Sequence, residues 1–447
     1  MTTTTTASGT GERTAAAAEP VFTGMSVIAP NGIGVDAYWR AVLSGTSGIG
    51  PISRFDPSRY PVRLAGQVAD FPLGTVPSRL VPETDRMTHF ALAAAQWALQ
   101  DARLDPADLG EYGGAVVTAN SSGGFEFGQH QLENLWTRGG RAVSAYHSIA
   151  WFYAASTGQI SIRHKLRGHC GVLATEQAGG IDAAAQARRV LRDGGAMVLT
   201  GGTDASLSPW GFVTQLATGL LSTEPDPARA YLPFARQARG YVPGEGGAVL
   251  VMEPAEAARR RGAPQVYGRL GGYAATTDPP PGSPRPPALR RAVTGALADA
   301  GLAPGDIDVV FADATGVPEH DAREARALAE VFGPYGVPVT APKSMTGRLY
   351  AGAALDIATA LLALHRNVIP PTTGVSEPDP AYRLDLVTGG PRERPLRNAL
   401  VLARGYGGFN AALVLRAADE PGHRAPEIHR DTANTTDTTH QRKGGGS

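Results

Sequence analysis

Gly171-Val172-Leu173-Ala174-Thr175-Glu176-Gln177-Ala178-Gly179-Gly180 is the stretch on which the fold turns. Its first part is a short apolar run, which predicts a buried strand. From Ile181 to Arg192 the chain is rich in Ala, Arg and Gln, which predicts a helix. Gln177 falls at the bend between them. A side chain there points outward, beside the helix's free N–H groups and the positive end of its dipole. Such a position suits an anionic nucleophile, a thiolate above all. Here it holds a neutral amide.

Outward from this turn, strands alternate with helices. Val21 to Ile28 reads as a strand, Asp36 to Leu43 as a helix, and Asp85 to Leu104 as a long helix with one apolar face. Gly113 to Thr118 is a strand, followed by a loop at Asn120-Ser121-Ser122-Gly123-Gly124 and a helix from Phe125 to Trp136. On that helix Phe125, Gly128 and Leu132 share a face. A glycine inside a helix costs roughly 1 kcal/mol relative to Ala. Gly128 therefore either packs closely against another backbone or borders a cavity. Tyr146 to Ile162 is apolar and aromatic, which predicts a buried helix. Arg259-Arg260-Arg261 reads as a solvated helix end.

In the second half, Leu289 to Ala300 and Asp321 to Phe332 read as helices and Asp308 to Ala312 as a strand. Lys343 to Arg348 is a loop entering an Ala/Leu-rich helix. Two strands, Ala399 to Leu402 and Ala411 to Leu415, flank Arg404-Gly405-Tyr406-Gly407-Gly408-Phe409-Asn410. A break near Pro254 to Gly268 divides the pattern into two stacked α/β halves, 20–255 and 256–417. Residues 1–19 read as a disordered low-complexity arm. Residues 418–447 read as a disordered tail whose final Gly-Gly-Gly-Ser resembles a linker.

Composition narrows the function. Lys+Arg and Asp+Glu are 41 each, so the net charge is zero. That argues against a nucleic-acid or anionic-membrane partner, both of which favour a basic face. The single cysteine, Cys170, allows no internal disulfide, which fits a reducing cytoplasm. No apolar run reaches transmembrane length, and no signal peptide is evident. The ten His and one Cys show no metal-ligand spacing, and no nucleotide-binding signature lies between a strand and a helix. Cys170 is a poor substitute nucleophile. At roughly 3.3 Å per strand residue it lies about 20 Å from Gln177, and it reads as a structural thiol.

The ordered set of Thr175 to Gly180, Asp313-Ala314-Thr315-Gly316-Val317-Pro318, Lys343 to Arg348 and Gly405-Tyr406-Gly407-Gly408 with Asn410 resembles the β-ketoacyl synthases. The resemblance runs from about Val21 to Arg416. It implies a thiolase-like fold, two stacked α/β halves in an α-β-α-β-α layering. Condensing members of the family use a cysteine and two histidines. On this sequence the cysteine position is Gln177, and the histidine positions are Asp313 and Arg348. The family lysine is kept as Lys343. An amide cannot carry an acyl thioester, an aspartate repels a malonyl carboxylate, and an arginine cannot act as a base at neutral pH. Asp313 and Arg348 are expected to pair across the former active site. Where relatives read Phe-Gly-Phe-Gly-Gly, Arg404 and Tyr406 replace the two phenylalanines, the second of which gates the acyl site.

Within the family, Thr118 to Phe127, Ala228 to Phe234 and Gly347-Arg348-Leu349-Tyr350 resemble the chain-length factors of type II aromatic polyketide synthases. That resemblance implies no retained catalytic residue, no metal and no cofactor of its own. It implies a heterodimer with an active ketosynthase α subunit. The 4'-phosphopantetheine arrives on an acyl carrier protein. A growing poly-β-ketone lies in a tunnel lined by Phe125, Gly128 and Leu132. Gly128 and the short Leu132 then favour a decaketide or longer product. Two rivals remain: a malonyl-carrier-protein decarboxylase acting through Gln177, and a homodimeric condensing enzyme using other residues.

Overall fold

The structure is a computed structural model in which residues 19–280 and 282–418 are described. The arm and the tail predicted from composition lie almost wholly outside those residues. The first half contributes strands β1 (Pro20–Ala29), β2 (Gly114–Ala119), β3 (Cys170–Leu173), β4 (Met197–Asp204) and β5 (Gly246–Pro254). They lie in the order β3-β2-β4-β5-β1. The β3/β2 and β2/β4 pairs are parallel, and the β4/β5 and β5/β1 pairs antiparallel. The second half contributes β6 (Gly268–Thr277), β7 (Val309–Phe311), β8 (Pro338–Thr340), β9 (Asp385–Leu386), β10 (Asn398–Gly405) and β11 (Phe409–Arg416).

Their order is β8-β7-β10-β11-β6, with β9 added outside β8. The directions repeat those of the first half: two parallel pairs, then two antiparallel ones. The chain thus builds one arrangement twice. The copies meet at β1 and β6, which share only the pairs Val21↔Arg269 and Phe22↔Gly268.

Among the described residues the helices of eight residues or more are α1 (Val35–Leu43), α2 (Arg86–Asp101), α3 (Phe125–Arg138), α4 (Ala155–His164), α5 (Gly179–Arg192), α6 (Pro209–Leu216), α7 (Leu289–Ala300), α8 (Pro318–Phe332) and α9 (Ala353–Arg366). Alternation along the strands sends neighbouring side chains to opposite faces, and this sorts the core into layers. Val116 and Leu199 meet Phe90, Leu92 and Ile160 of α2 and α4 on one face of the first sheet. Val117 and Val198 meet Ile181 and Leu361 of α5 and α9 on the other. In the second half Val310 and Leu400 face Val293 and Leu328 of α7 and α8, while Val309 and Val401 face the central pair. The result is α-β-α-β-α. Helix α9 is buried from Ala353 to Leu364, as its Ala/Leu-rich sequence requires, with Asp356 paired to Lys343. Gly180 permits its contact with α5, because a Cβ there would lie 2.3 Å from the Ala354 nitrogen.

Three expectations are corrected. The Gly171–Leu173 run is not a buried strand but the open edge of the first sheet, and Cys170 on it is exposed rather than structural. The apolar segment from Tyr146 to Ile162 is not one buried helix. It is a single turn at His147–Ala150, an irregular stretch and α4, with Tyr146, Ile149, Trp151, Phe152, Tyr153 and Ile162 exposed. An apolar composition fits a core or an interface equally, and periodicity does not separate them. The arginine run does end a helix, Ala255–Arg260, with Arg259 and Arg260 in solvent, and the correction concerns Arg261 alone, which turns inward to Glu253 at 2.6 Å.

Candidate functional site

The doubled topology brings two bends to one place. After β3 a 3-10 turn at Glu176–Ala178 leads into α5, and after β8 a 3-10 turn at Pro342–Met345 leads toward α9. Glu176 holds φ at +49°, a left-handed conformation costly for a side chain with a Cβ. This backbone turn carries Gln177 inward, not outward. Gln177 is buried and lines a cleft with Lys343, Thr346, Arg348 and Asp356.

Asp313 follows β7 and Arg348 follows the second bend. The Arg348 Nη2 donates to Asp313 Oδ1 at 2.8 Å and to Oδ2 at 3.0 Å, and Nη1 donates to the Asp313 carbonyl at 3.0 Å. Both side chains are buried. Burial alone would raise the Asp313 carboxyl, but Arg348, with Lys343 and Arg404 beyond it, holds it below the usual range. Burial likewise opposes the Arg348 charge, and Asp313 outweighs it, so the guanidinium stays protonated. The predicted pair is present. The Lys343 Nζ does not reach it as a donor and bonds Asp356 Oδ2 at 2.8 Å. Where a condensing enzyme needs a thiolate and neutral imidazoles, this cleft holds an amide and two closed ion pairs. Among the described residues its lining contains no cysteine and no histidine. Cys170 offers no substitute nucleophile, since partial burial pushes its thiol up, the reverse of activation.

The terminal glycine loop is tied to this site. The Arg404 N–H donates to Asp313 Oδ1 at 2.9 Å, and the Arg404 carbonyl accepts from Arg348 Nη2 at 2.6 Å. The Glu176 carboxylate accepts the Tyr406 N–H. Gly405 passes so close to the first bend that a Cβ would lie 2.7 Å from the Thr175 carbonyl. Gly407 and Gly408 take positive φ values of 86° and 94° to turn the loop back. Arg404 is half-buried, with Nη1 on the His320 carbonyl, while Tyr406 projects into solvent. The loop is thus fastened through the Arg404 and Tyr406 backbone N–H groups to Asp313 and Glu176. Sequence reasoning missed Glu176 in this role, and only its place beside Gln177 pointed to it.

Helix α3 carries Phe125, Gly128 and Leu132 along one side, Gly128 buried and the other two half-buried. Gly128 does not open empty space. A Cβ there would lie 2.9 Å from Trp210 Cζ3 and 3.3 Å from Trp151 Cε3. The close-packing alternative holds, though against aromatic rings and not a backbone. The expectation of a longer product therefore rests on Leu132 alone. Trp210 was missed because Ser208-Pro209-Trp210 starts a helix too short to show periodicity. Its signal was the Ser208 cap, whose Oγ accepts the Gly211 N–H at 3.3 Å.

Two buried carboxyls anchor the start of α3. Asp85 accepts the Met87 N–H at 3.0 Å and the Phe127 N–H at 2.8 Å, so it caps α2 and holds α3 together. Asp204 accepts from the Ser122 hydroxyl, and among the described residues its Oδ2 has no hydrogen-bond partner. Burial pushes each of them up to about 7. A native pKa above the unfolded one means that the native state holds the proton more tightly. The stability Asp204 contributes is complete below about pH 4, its unfolded value, and is lost as pH rises through about 7. Asp204→Asn is expected to raise stability at pH 8 by about 1–3 kcal/mol and to give no advantage at pH 4. Urea unfolding at the two pH values measures this, and equal effects at both would contradict it.

This doubled fold, with a cleft at the paired bends, defines a class. Residues 19–258 match the β-ketoacyl synthase N-terminal domain and residues 267–376 the C-terminal domain, so the chain belongs to the β-ketoacyl synthase family. Within it, the chain stands with the ketosynthase β subunits of type II polyketide synthases, the chain-length factors. It is 58% identical over 404 residues to the tetracenomycin polyketide synthase ketoacyl synthase β subunit of Streptomyces glaucescens, covering 90% of this chain and 99% of that one. The solved ishigamide ketosynthase/chain length factor superposes with a TM-score of 0.82 at 29% identity, covering 90% of this chain and 99% of that chain. A type II polyketide synthase ketosynthase, solved with its acyl carrier protein and bound to the hexaketide, superposes with a TM-score of 0.81 at 27% identity, with the same coverage. Among the described residues no helix is long and apolar enough to cross a membrane.

Proposed function

We propose that this chain is a non-catalytic subunit that pairs with an active ketosynthase of the same fold and limits how long a poly-β-keto chain grows. The observation that carries this reading is the buried Asp313–Arg348 pair, which occupies the two histidine positions and consumes both charges internally. The partner supplies the nucleophile and histidines. An acyl carrier protein delivers malonyl units on its 4'-phosphopantetheine, and the chain extends along α3. Support for the partner comes from the open edge of β3 and the exposed aromatic segment beside it. Unpaired strand edges and large exposed apolar patches both mark contact surfaces. A decarboxylase acting through Gln177 is disfavoured because the closed Asp313–Arg348 pair fills both histidine positions and leaves no imidazole among the residues lining the cleft beside Gln177.

The test is co-expression with a candidate ketosynthase, followed by sizing and reconstitution with malonyl-loaded carrier protein. A one-to-one complex that extends malonyl units, with this chain inert alone, is the expected result. Leu132→Phe in that complex is expected to shift products to shorter chains without loss of assembly. An isolated chain that releases CO2 from malonyl-carrier protein, with the activity abolished by Gln177→Ala, would replace this reading with the decarboxylase.

A further inference from the structure

Gly128 is covered from two sides, by Trp210 and by Trp151. The Trp210 backbone N–H donates to Gln129 Oε1 on α3 at 2.8 Å, and its ring stands edge-on to Phe125 with centroids 5.1 Å apart. On its other side lies Trp151, parallel to it at 6° with centroids 5.0 Å apart. Trp151 does not belong to α3 or α6. It comes from the exposed aromatic segment, and it is itself 39% exposed.

The segment is locked to the start of α3 through its backbone. The Gly124 N–H donates to the Trp151 carbonyl at 3.1 Å. Cβ atoms at Gly123 and Gly124 would lie 2.5 Å from the Trp151 carbonyl oxygen and 2.1 Å from the Ala150 one. Only glycines allow this approach, so the Gly123-Gly124 pair exists to seat the 150–151 backbone on the helix.

We propose that Trp151 is a specificity-determining residue, whose ring backs Trp210 and closes the space beside Gly128 from the partner-facing side. This rests on the chain-length reading above. Removing the ring leaves Trp210 without its outer support and opens the wall at Gly128. Because the Trp151 segment is also the exposed face, the docked partner completes the wall, and the length limit belongs to the pair of subunits.

The experiment compares product lengths from the reconstituted complex carrying Trp151→Ala, Trp151→Phe or Leu132→Phe. Trp151→Ala is expected to move the main product up by at least one two-carbon unit, and Trp151→Phe to restore the parent distribution. A parent distribution from Trp151→Ala, while Leu132→Phe shortens the chain, overturns the proposal and leaves the chain-length reading standing. No change from either overturns both. Should Trp151→Ala fail to assemble, Trp151→Leu keeps an apolar contact without the stack and is read in the same way. Failure of that variant to assemble also overturns the proposal, since Trp151 would then be an anchor for the partner and not a wall of the tunnel.

Discussion

Arg348→Met is expected to destabilise the chain by about 3–5 kcal/mol, the cost of leaving one member of a buried ion pair without its partner. Asp313 has no exposed side-chain surface, and its principal counter-charge is Arg348 at 2.8 Å. What remains after the substitution is the Arg404 N–H at 2.9 Å and the more distant charges of Arg404 and of Lys343, which is already bonded to Asp356. Glu324, accepting the Asp313 and Ala314 N–H groups at 2.8 Å each, adds a second carboxyl nearby. Burial, and then Asp313, push the Glu324 carboxyl up. Changing both members, Arg348→Met with Asp313→Leu, removes the uncompensated charge. The double variant is expected to recover most of the loss, because apolar replacement of a whole buried pair is often neutral. Urea unfolding of the parent, single and double variants measures the cycle. A single variant within about 1 kcal/mol of the parent, the range of solvated surface pairs, would contradict the buried pair. The single change also frees the Arg404 carbonyl, so faster hydrogen exchange is expected from Arg404 to Gly408.

The ion pair was legible because its two residues stand in short, ordered motifs whose spacing the chain preserves. The Gln177 bend was legible for a local reason, an apolar run breaking into a helical one within ten residues. Gln177's inward direction was not, because it depends on the +49° φ of Glu176, which no residue type announces. Nor was the doubled strand order, since register between β2, β3 and β4 is set by contacts far apart in sequence. The segment from Tyr146 to Ile162 shows the limit most clearly. Its composition says that these side chains leave water, but not whether they do so inside one chain or between two. Trp210 and Trp151 are invisible for a related reason. Each explains Gly128 only once three separate elements are placed together.

Phe152→Asp combined with Ile162→Asp is expected to abolish the complex with the ketosynthase partner. Both side chains are already in solvent in the single chain, Phe152 at 47% and Ile162 at 71% exposed, so a charge there does little harm to the fold. Between two chains the same charge is stripped of water and finds an apolar surface. Aromatic and aliphatic anchors at the centre of an interface cost about 2–4 kcal/mol each on truncation, and an unpaired carboxylate adds its own desolvation. Two such sites amount to at least about a thousand-fold in affinity, enough to convert a co-purifying complex into separate subunits. Tyr335→Asp is the control. Tyr335 is 57% exposed just beyond the end of α8 in the second half, away from the β3 edge. It is expected to leave the complex intact. Circular dichroism confirms that each variant is folded, and sizing of the co-expressed pair reads assembly. A folded double variant that still elutes with its partner would place the ketosynthase elsewhere on the surface. The open edge of β3 would then need another occupant. Loss of the complex in the double variant alone places the partner on the exposed segment that carries Phe152 and Ile162.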